Sequence, residues 1–111
     1  MISALLIDND AEHAERMRDS LVQRGLAVSH VFDFGQAIEM LREKPRKCEI
    51  VMLVIADIAR PWATVLSRLQ DASLQGEING LPLFLCVSKC DFGVDFELQI
   101  ERMGARYVHE E

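Results

Sequence analysis

The longest uninterrupted apolar run of this chain extends from Ile50 to Ala56 and ends on Asp57. A run of this length that is apolar on both faces is typical of a central strand in a parallel sheet, because helices cover both faces of such a strand. The strand would carry Asp57 to the carboxyl edge of the sheet. Open α/β folds place their functional sites at that edge.

A second short apolar run, Ala4 to Ile7, leads directly into Asp8, Asn9 and Asp10. We expect Asp8 and Asp10 to form one acidic cluster with Asp57, because parallel strands end at the same edge. Such a cluster attracts Mg²⁺, which prefers oxygen ligands, and an aspartate beside it could attack phosphorus to form an aspartyl phosphate. The alternative is that Asp8 and Asp10 start a helix and Asp57 caps a turn. The spacing leaves both interpretations open.

Strand-like and helix-like segments alternate along the chain, which predicts βαβ units and a parallel sheet. We interpret residues 1–111 as one domain. Its five strands and four helices leave the sheet without a final helix, although a doubly wound sheet needs cover on both faces. A following segment or a partner would cover the bare face, so we expect a homodimer, a swapped element or a larger parent protein if the chain ends at Glu111. The predicted strands are residues 3–7, 26–32, 50–56, 83–87 and 106–109.

The first predicted helix follows Asp10, whose carboxylate can accept backbone N–H bonds as a cap. Gly25 lies where a left-handed C-terminal cap is expected. His13 falls on the polar face of this helix and is assigned no role. The predicted apolar stripe consists of Ala14, Met17, Leu21 and Val22.

Charge and composition exclude several classes of function. The net charge of −6 argues against direct nucleic-acid binding, which needs a basic surface. No apolar run has the length of a membrane span, and the first residues do not form a signal peptide. We interpret Cys48, Cys86 and Cys90, an odd number, as free thiols in a reducing compartment. The sequence therefore predicts a cytoplasmic protein without a membrane partner.

Four segments stand in a recognisable order: Leu5 to Asp10, Val54 to Pro61, Gly80 to Leu85 and Gly104 to Val108. The first resembles the acidic opening of response-regulator receiver domains. The second resembles their phosphoacceptor strand and loop, with a proline at the expected offset. The third and fourth are similar to the segments that lead into the family's fourth and fifth strands. The resemblance extends over nearly the whole chain.

The resemblance implies a flavodoxin-like, doubly wound α/β fold with a five-stranded parallel sheet in the order 2-1-3-4-5. It implies that Asp57 is the phosphoacceptor. Asp8 and Asn9 would occupy the two acidic metal positions, and the backbone carbonyl of Ala59 would be a further Mg²⁺ ligand. The implied partners are a histidine kinase or phosphotransfer protein and an output domain or partner protein. By this resemblance the chain is a signal receiver and not an enzyme.

The sequence departs from the family pattern in the metal site and at the fourth strand. Asn9 is uncharged where the family has a second acid, which predicts a weaker metal site. The family's switch hydroxyl ends the fourth strand, and counting from Pro82 puts Val87 there. Ser88 would take this position if the strand contained a one-residue bulge.

The lysine that the family carries on its fifth strand is also absent. His109 is the remaining candidate on that strand. Lys89 could reach the acidic cluster from the loop after the fourth strand, but the favoured interpretation is a solvated surface lysine. Histidine does not carry a fixed charge at neutral pH. Trp62, beside the predicted site, either anchors a partner or packs over the third helix.

Three hypotheses follow. The first is a working receiver with Mg²⁺-dependent phosphotransfer to Asp57. The second is a pseudo-receiver, a phosphorylation-independent protein–protein interaction module, which Asn9 and the missing lysine favour. The third is an accessory domain of a larger protein, which rests on fold analogy alone.

Overall fold

The computed structural model describes residues 2–43, 48–56, 61–75 and 82–110, and strands alternate with helices through these ranges. The strands within these ranges are β1 (Ser3–Ile7), β2 (Ala27–Val31), β3 (Ile50–Ile55), β4 (Leu83–Ser88) and β5 (Arg106–His109). The helices within them are α1 (Ala11–Gln23), α2 (Phe34–Glu43), α3 (Trp62–Gln75) and α4 (Val94–Arg102). The alternation predicted from the sequence therefore holds for the described residues.

The strands form a parallel sheet in the order β2-β1-β3-β4-β5, which confirms the predicted doubly wound topology. β1 lies between β2 and β3, with Ile7 opposite both Val31 and Leu53. Because β1 and β3 are parallel neighbours, their carboxyl ends lie at the same edge of the sheet. The sequence prediction that the residues after these two strands share one edge rests on this arrangement.

The larger core fills the face of the sheet that α2, α3 and α4 cover. Its fully buried side chains alternate along the strands with residues of the opposite face, as a parallel sheet covered on both sides requires. Burial raises the pKa of the Cys86 thiol, which lies in this core, to about 12. Members of this core include Leu5, Val51, Phe84, Leu41, Leu66, Leu69, Phe96 and Ile100.

The opposite face is covered by α1 and has a smaller core of Leu6, Ala14 and Met52. The β4–β5 half of this face is more open, because Leu83 and Val108 are 42% and 41% exposed. In the described parts of the chain no second helix lies on this face. The predicted count of five strands and four helices thus agrees with the described elements, while the predicted cover by a partner stays a prediction.

The cap and the terminating glycine of α1 lie where the sequence predicts, but one residue of the predicted apolar stripe is exposed. The Asp10 carboxylate accepts a hydrogen bond from the backbone N–H of His13 at 3.2 Å and caps the helix. Gly25 has φ of 91°, the left-handed conformation expected after a helix. Val22 is 49% exposed, so its assignment to the buried stripe was wrong. The inward side of the helix runs through Ala14, Met17 and Leu21, at spacings of three and four residues. Val22 is one residue further on and therefore lies on the flank of the helix.

The three cysteines are free. In the part of the chain that the structure describes, no helix has the length and apolar composition needed to cross a membrane.

Candidate functional site at the carboxyl edge of the sheet

Five ionisable side chains meet at the carboxyl edge of the sheet, and we call this group the acidic edge. They are Asp8, Asp10, His13, Lys89 and Glu110. They come from the end of β1, the first turn of α1, the residue after β4 and the residue after β5. Their contacts join segments that are far apart in the chain. The topology brings them together because β1 is central and parallel to its neighbours.

Asp8 is the buried centre of the acidic edge, with 2% of its surface exposed. Its backbone N–H donates to the carbonyl of Val31 at 3.1 Å, which continues the β1–β2 ladder. Its Oδ1 accepts the backbone N–H of Asp10 at 3.0 Å, and its Oδ2 accepts a hydrogen bond from Nδ1 of His13. Both carboxylate oxygens of Asp8 are therefore engaged inside the protein.

His13 is buried and bridges two carboxylates. Its Nδ1 faces Asp8, and its Nε2 lies 2.6 and 2.8 Å from the two carboxylate oxygens of Glu110. An imidazole ring donates from both nitrogens only when it is doubly protonated. Each ring nitrogen thus faces a carboxylate, and the ring ties the first turn of α1 to the residue that follows β5.

Two further basic side chains reach the same region. Nε2 of His30, on β2, donates to the main-chain carbonyl of Asp8 at 2.8 Å. Nζ of Lys89 lies 3.2 Å from Oδ2 of Asp10. The backbone hydrogen bond from His13 and, after it, the hydrogen bond from Lys89 hold the pKa of the Asp10 carboxyl below its usual value.

The sequence interpretation missed His13 and Glu110. His13 was placed on the polar face of α1, yet it lies four residues before Met17 and eight before Leu21, on the same stripe of the helix. That spacing is the signal that could have placed the ring inward. Nothing in the sequence pattern around Glu110 distinguishes it from a solvated acid near the end of a strand.

Ser88, the predicted switch hydroxyl, is the last residue of β4 and lies opposite Ile55 of β3. The β3–β4 ladder runs without interruption from the Ile50–Leu83 pair to this pair, so the described strands contain no bulge here. The Ser88 hydroxyl donates to the carbonyl of Cys90. This hydroxyl is therefore bonded within its own turn, and its role as a switch stays a prediction.

The predicted phosphoacceptor Asp57 and the predicted metal ligand Ala59 lie outside the described residues. Asn9 lies inside them, exposed beside Asp8. His109, considered as a substitute for the missing lysine, is exposed. Lys89 does reach the acidic edge, where its Nζ lies 3.2 Å from Oδ2 of Asp10, so the favoured interpretation of a solvated surface lysine was wrong.

The described residues do not fit the magnesium site that the resemblance implies. Mg²⁺ needs available oxygen ligands and keeps several of its own waters. The Asp8 side chain is 1% exposed, and both of its oxygens already accept hydrogen bonds. Asn9 carries no charge, and Asp10 serves as a helix cap and as the partner of Lys89. Across the described residues, no group of three or more histidine, cysteine or acidic side chains is arranged to hold a metal ion.

A cavity of about 630 Å³ adjoins the acidic edge, between the ends of β1 and β3 and the beginnings of α2 and α3. Asn9, Asp10 and Lys89 line its polar side, and Phe32 and Trp62 are among the residues of its apolar side. The Trp62 ring also packs edge-on against Phe96 of α4, with ring centroids 4.9 Å apart. Packing toward α4 thus accounts for part of the Trp62 side chain.

Comparison with known proteins places this geometry in a known fold. No protein-family model matches the chain, and no curated protein sequence matches it. A response regulator of Burkholderia pseudomallei, solved with a phosphorylated aspartic acid, a calcium ion and citrate, is similar over 99% of this chain with a TM-score of 0.76 and 17% identity. This chain spans 60% of the length of that protein.

Two further solved structures agree. The non-phosphorylated HemR receiver domain of Leptospira biflexa has a TM-score of 0.76 and 16% identity over 99% of this chain and 82% of its own. A response regulator receiver protein of Burkholderia phymatum has a TM-score of 0.73 and 18% identity over 99% and 83%. The chain therefore has the fold of response-regulator receiver domains, as the resemblance predicted, and identity at this level establishes the fold alone.

Proposed function

We propose that this chain is a signalling module of the receiver fold that binds a partner protein without a phosphorylation cycle, which is the function of a pseudo-receiver. The observation that carries the proposal is the engagement of both Asp8 oxygens by His13 and by the backbone of Asp10. A receiver that forms an aspartyl phosphate needs this carboxylate to help hold a cation beside the reacting phosphorus.

Three further features support the proposal. Asn9 brings no charge to the second acidic position. The Ser88 hydroxyl, which would bind a phosphoryl oxygen in a working receiver, donates to the Cys90 carbonyl. Glu110 places a negative charge beside the end of β5, where a working receiver has a lysine, and this charge would repel a phosphoryl group. Each feature lowers the stabilisation that an incoming anion would find.

One observation favours the second candidate, a working receiver with Asp57 as phosphoacceptor and Mg²⁺ as cofactor. Lys89 carries a positive charge to the acidic edge from the residue after β4. Because Lys89 also lines the cavity beside Asn9, its ammonium group could attract a small anionic phosphodonor. In this candidate a histidine kinase or phosphotransfer protein supplies the phosphoryl group.

The remaining parts of the proposal concern partners and location. In both candidates the chain passes a signal to an output domain or partner protein and is not itself an enzyme. A net charge of −6 makes direct nucleic-acid binding unfavourable. A cytoplasmic location and a homodimer through the open β4–β5 half of the α1 face are part of the same proposal.

Intact-mass spectrometry after incubation with magnesium and acetyl phosphate separates the two candidates. The pseudo-receiver predicts no gain of a phosphoryl mass in a protein that circular dichroism shows to be folded. It also predicts that Asp57→Ala leaves the binding of an identified partner unchanged. A phosphoryl gain in the wild type that Asp57→Asn abolishes would establish the working receiver instead.

A further inference from the structure

We propose that His13 is the resident cation of the acidic edge, held between Asp8 and Glu110 in place of a divalent metal ion, so that the site does not respond to magnesium. The inference goes beyond the proposed function, because it concerns which cation neutralises the site and not whether Asp57 is phosphorylated. It rests on contacts of described residues alone.

Burial makes a compensating partner necessary at the Asp8 carboxylate. An ionised carboxylate with 1% of its side chain exposed is costly unless a positive or hydrogen-bonding group compensates it. Lys89 contacts Asp10 instead, and His30 contacts the main-chain carbonyl of Asp8. Among the described basic side chains, His13 is the one that contacts the Asp8 carboxylate.

The position of the ring excludes a metal ion from the same oxygen. Nδ1 of His13 contacts Oδ2 of Asp8, and Oδ1 accepts the Asp10 backbone N–H. Glu110 holds the ring from its other side through Nε2, at 2.6 Å. A hydrated Mg²⁺ ion could reach the Asp8 carboxylate only after the imidazole ring had moved away.

Removal of the ring should reverse this preference. His13→Ala would leave the Asp8 and Glu110 carboxylates beside a vacated space, and neighbouring carboxylates are the ligands that hard divalent cations prefer. Asn9→Asp would add a further oxygen ligand with a negative charge at the edge. The double variant His13→Ala/Asn9→Asp should therefore bind magnesium more tightly than the wild type.

The wild-type protein provides the first arm of the test. Magnesium chloride is titrated into ¹⁵N-labelled protein, with potassium chloride at equal ionic strength as the reference. We expect the amide resonances of Asn9, Asp10 and His13 to shift no more with magnesium than with potassium. Saturable, magnesium-specific shifts at these amides would overturn the proposal, and this arm needs no variant.

The variants provide the second arm. We expect the double variant to bind magnesium at least about tenfold more tightly than the wild type, in line with the effect of groups that adjoin metal ligands. His30→Ala/Asn9→Asp is the matched control, because it carries the same added acid and removes a half-buried imidazole that contacts the backbone of Asp8 and not its carboxylate. Its magnesium affinity should stay at least about tenfold below that of the double variant. A folded double variant with wild-type affinity would contradict the proposal. If His13→Ala does not fold, His13→Gln replaces it under the same criteria.

Failure of this inference and failure of the proposed function give different results. Magnesium binding by the wild type overturns the inference, even if no phosphoryl group is ever gained. Phosphorylation of Asp57 while a chelator removes magnesium would overturn the pseudo-receiver. The same result would support the inference that His13, and not a metal ion, is the cation of the acidic edge.

Discussion

Two regions of this molecule hold helices against the sheet by different interactions, one by aromatic packing and the other by hydrogen bonds and ion pairs. Around Phe96, which is 2% exposed, the rings of Trp62, Phe92 and Tyr107 pack edge-on with centroids 4.9, 5.1 and 5.9 Å from its own. We call these four residues the aromatic cluster. At the acidic edge, hydrogen bonds and ion pairs join the ends of β1, β4 and β5 to α1.

The difference lies in what each region requires of its members. Aromatic rings gain stability from buried area and from favourable edge-to-face geometry, so the loss of one ring costs stability in proportion to what it buried. At the acidic edge each charge needs its partner, because an unpaired buried charge is costly. Substitutions in the aromatic cluster should therefore change stability alone, while substitutions in the acidic edge should also change which ions bind.

The largest expected effect belongs to the aromatic cluster. Phe96→Ala should lower the free energy of unfolding by about 3–5 kcal/mol, because it removes a ring buried on all sides and leaves a cavity. Urea denaturation followed by circular dichroism measures this change. Leu98→Ala on the same helix, where the side chain is 42% exposed, is the control and should cost no more than about 0.5 kcal/mol. Similar losses for the two variants would refute the buried position of Phe96.

A smaller effect is expected where Glu110 meets His13. Glu110→Gln keeps the shape of the side chain and removes its charge, so the unfolding free energy should fall by about 1–2 kcal/mol, as for a hydrogen bond to a charged group. Glu101→Gln on the exposed surface of α4 is the matched control, with an expected change near zero. Equal stability of the Glu110→Gln variant and the wild type, measured in the same denaturation series, would show that the bridge contributes nothing.

The aromatic cluster and the acidic edge also differ in how far the sequence predicted them. The sequence predicts a fourth helix that carries Phe96 and Ile100, and a fifth strand over residues 106–109 that carries Tyr107. Packing of such residues follows from periodicity, because apolar side chains turn inward wherever the chain allows it. The strand order also agreed, but it was implied by the resemblance to receiver domains, because the alternation of elements predicts a parallel sheet and not the order of its strands.

The acidic edge was predicted in outline and not in its pairing. The sequence predicted that Asp8 and Asp10 would share an edge with Asp57, which lies outside the described residues, and Asp10 was correctly assigned as a helix cap. It did not indicate that His13 would pair with Asp8 and Glu110, which are separated from it by 5 and 97 positions. The contact between His13 and Glu110 depends on the register of β5 against β4, which no local pattern encodes.

The smallest expected effect is a dependence of stability on acid at Asp10. Its pKa in the folded protein lies below the ordinary value of 3.8, so the stabilisation is present above that value and is lost as the pH falls through the folded-state pKa. Asp10→Asn retains a capping side chain and removes the charge. Thermal unfolding at a series of acidic pH values should show a shallower loss of stability for Asp10→Asn than for the wild type, and parallel curves would contradict the assignment.

The most direct test of the central claim, that the acidic edge carries its own cation and is not built for phosphoryl chemistry, is the response of the wild-type protein to beryllofluoride with magnesium. The adduct imitates a phosphorylated aspartate, and Trp62 fluorescence provides a signal beside the cavity. Our account predicts no saturable change in fluorescence. A saturable change that disappears in Asp57→Asn would contradict it.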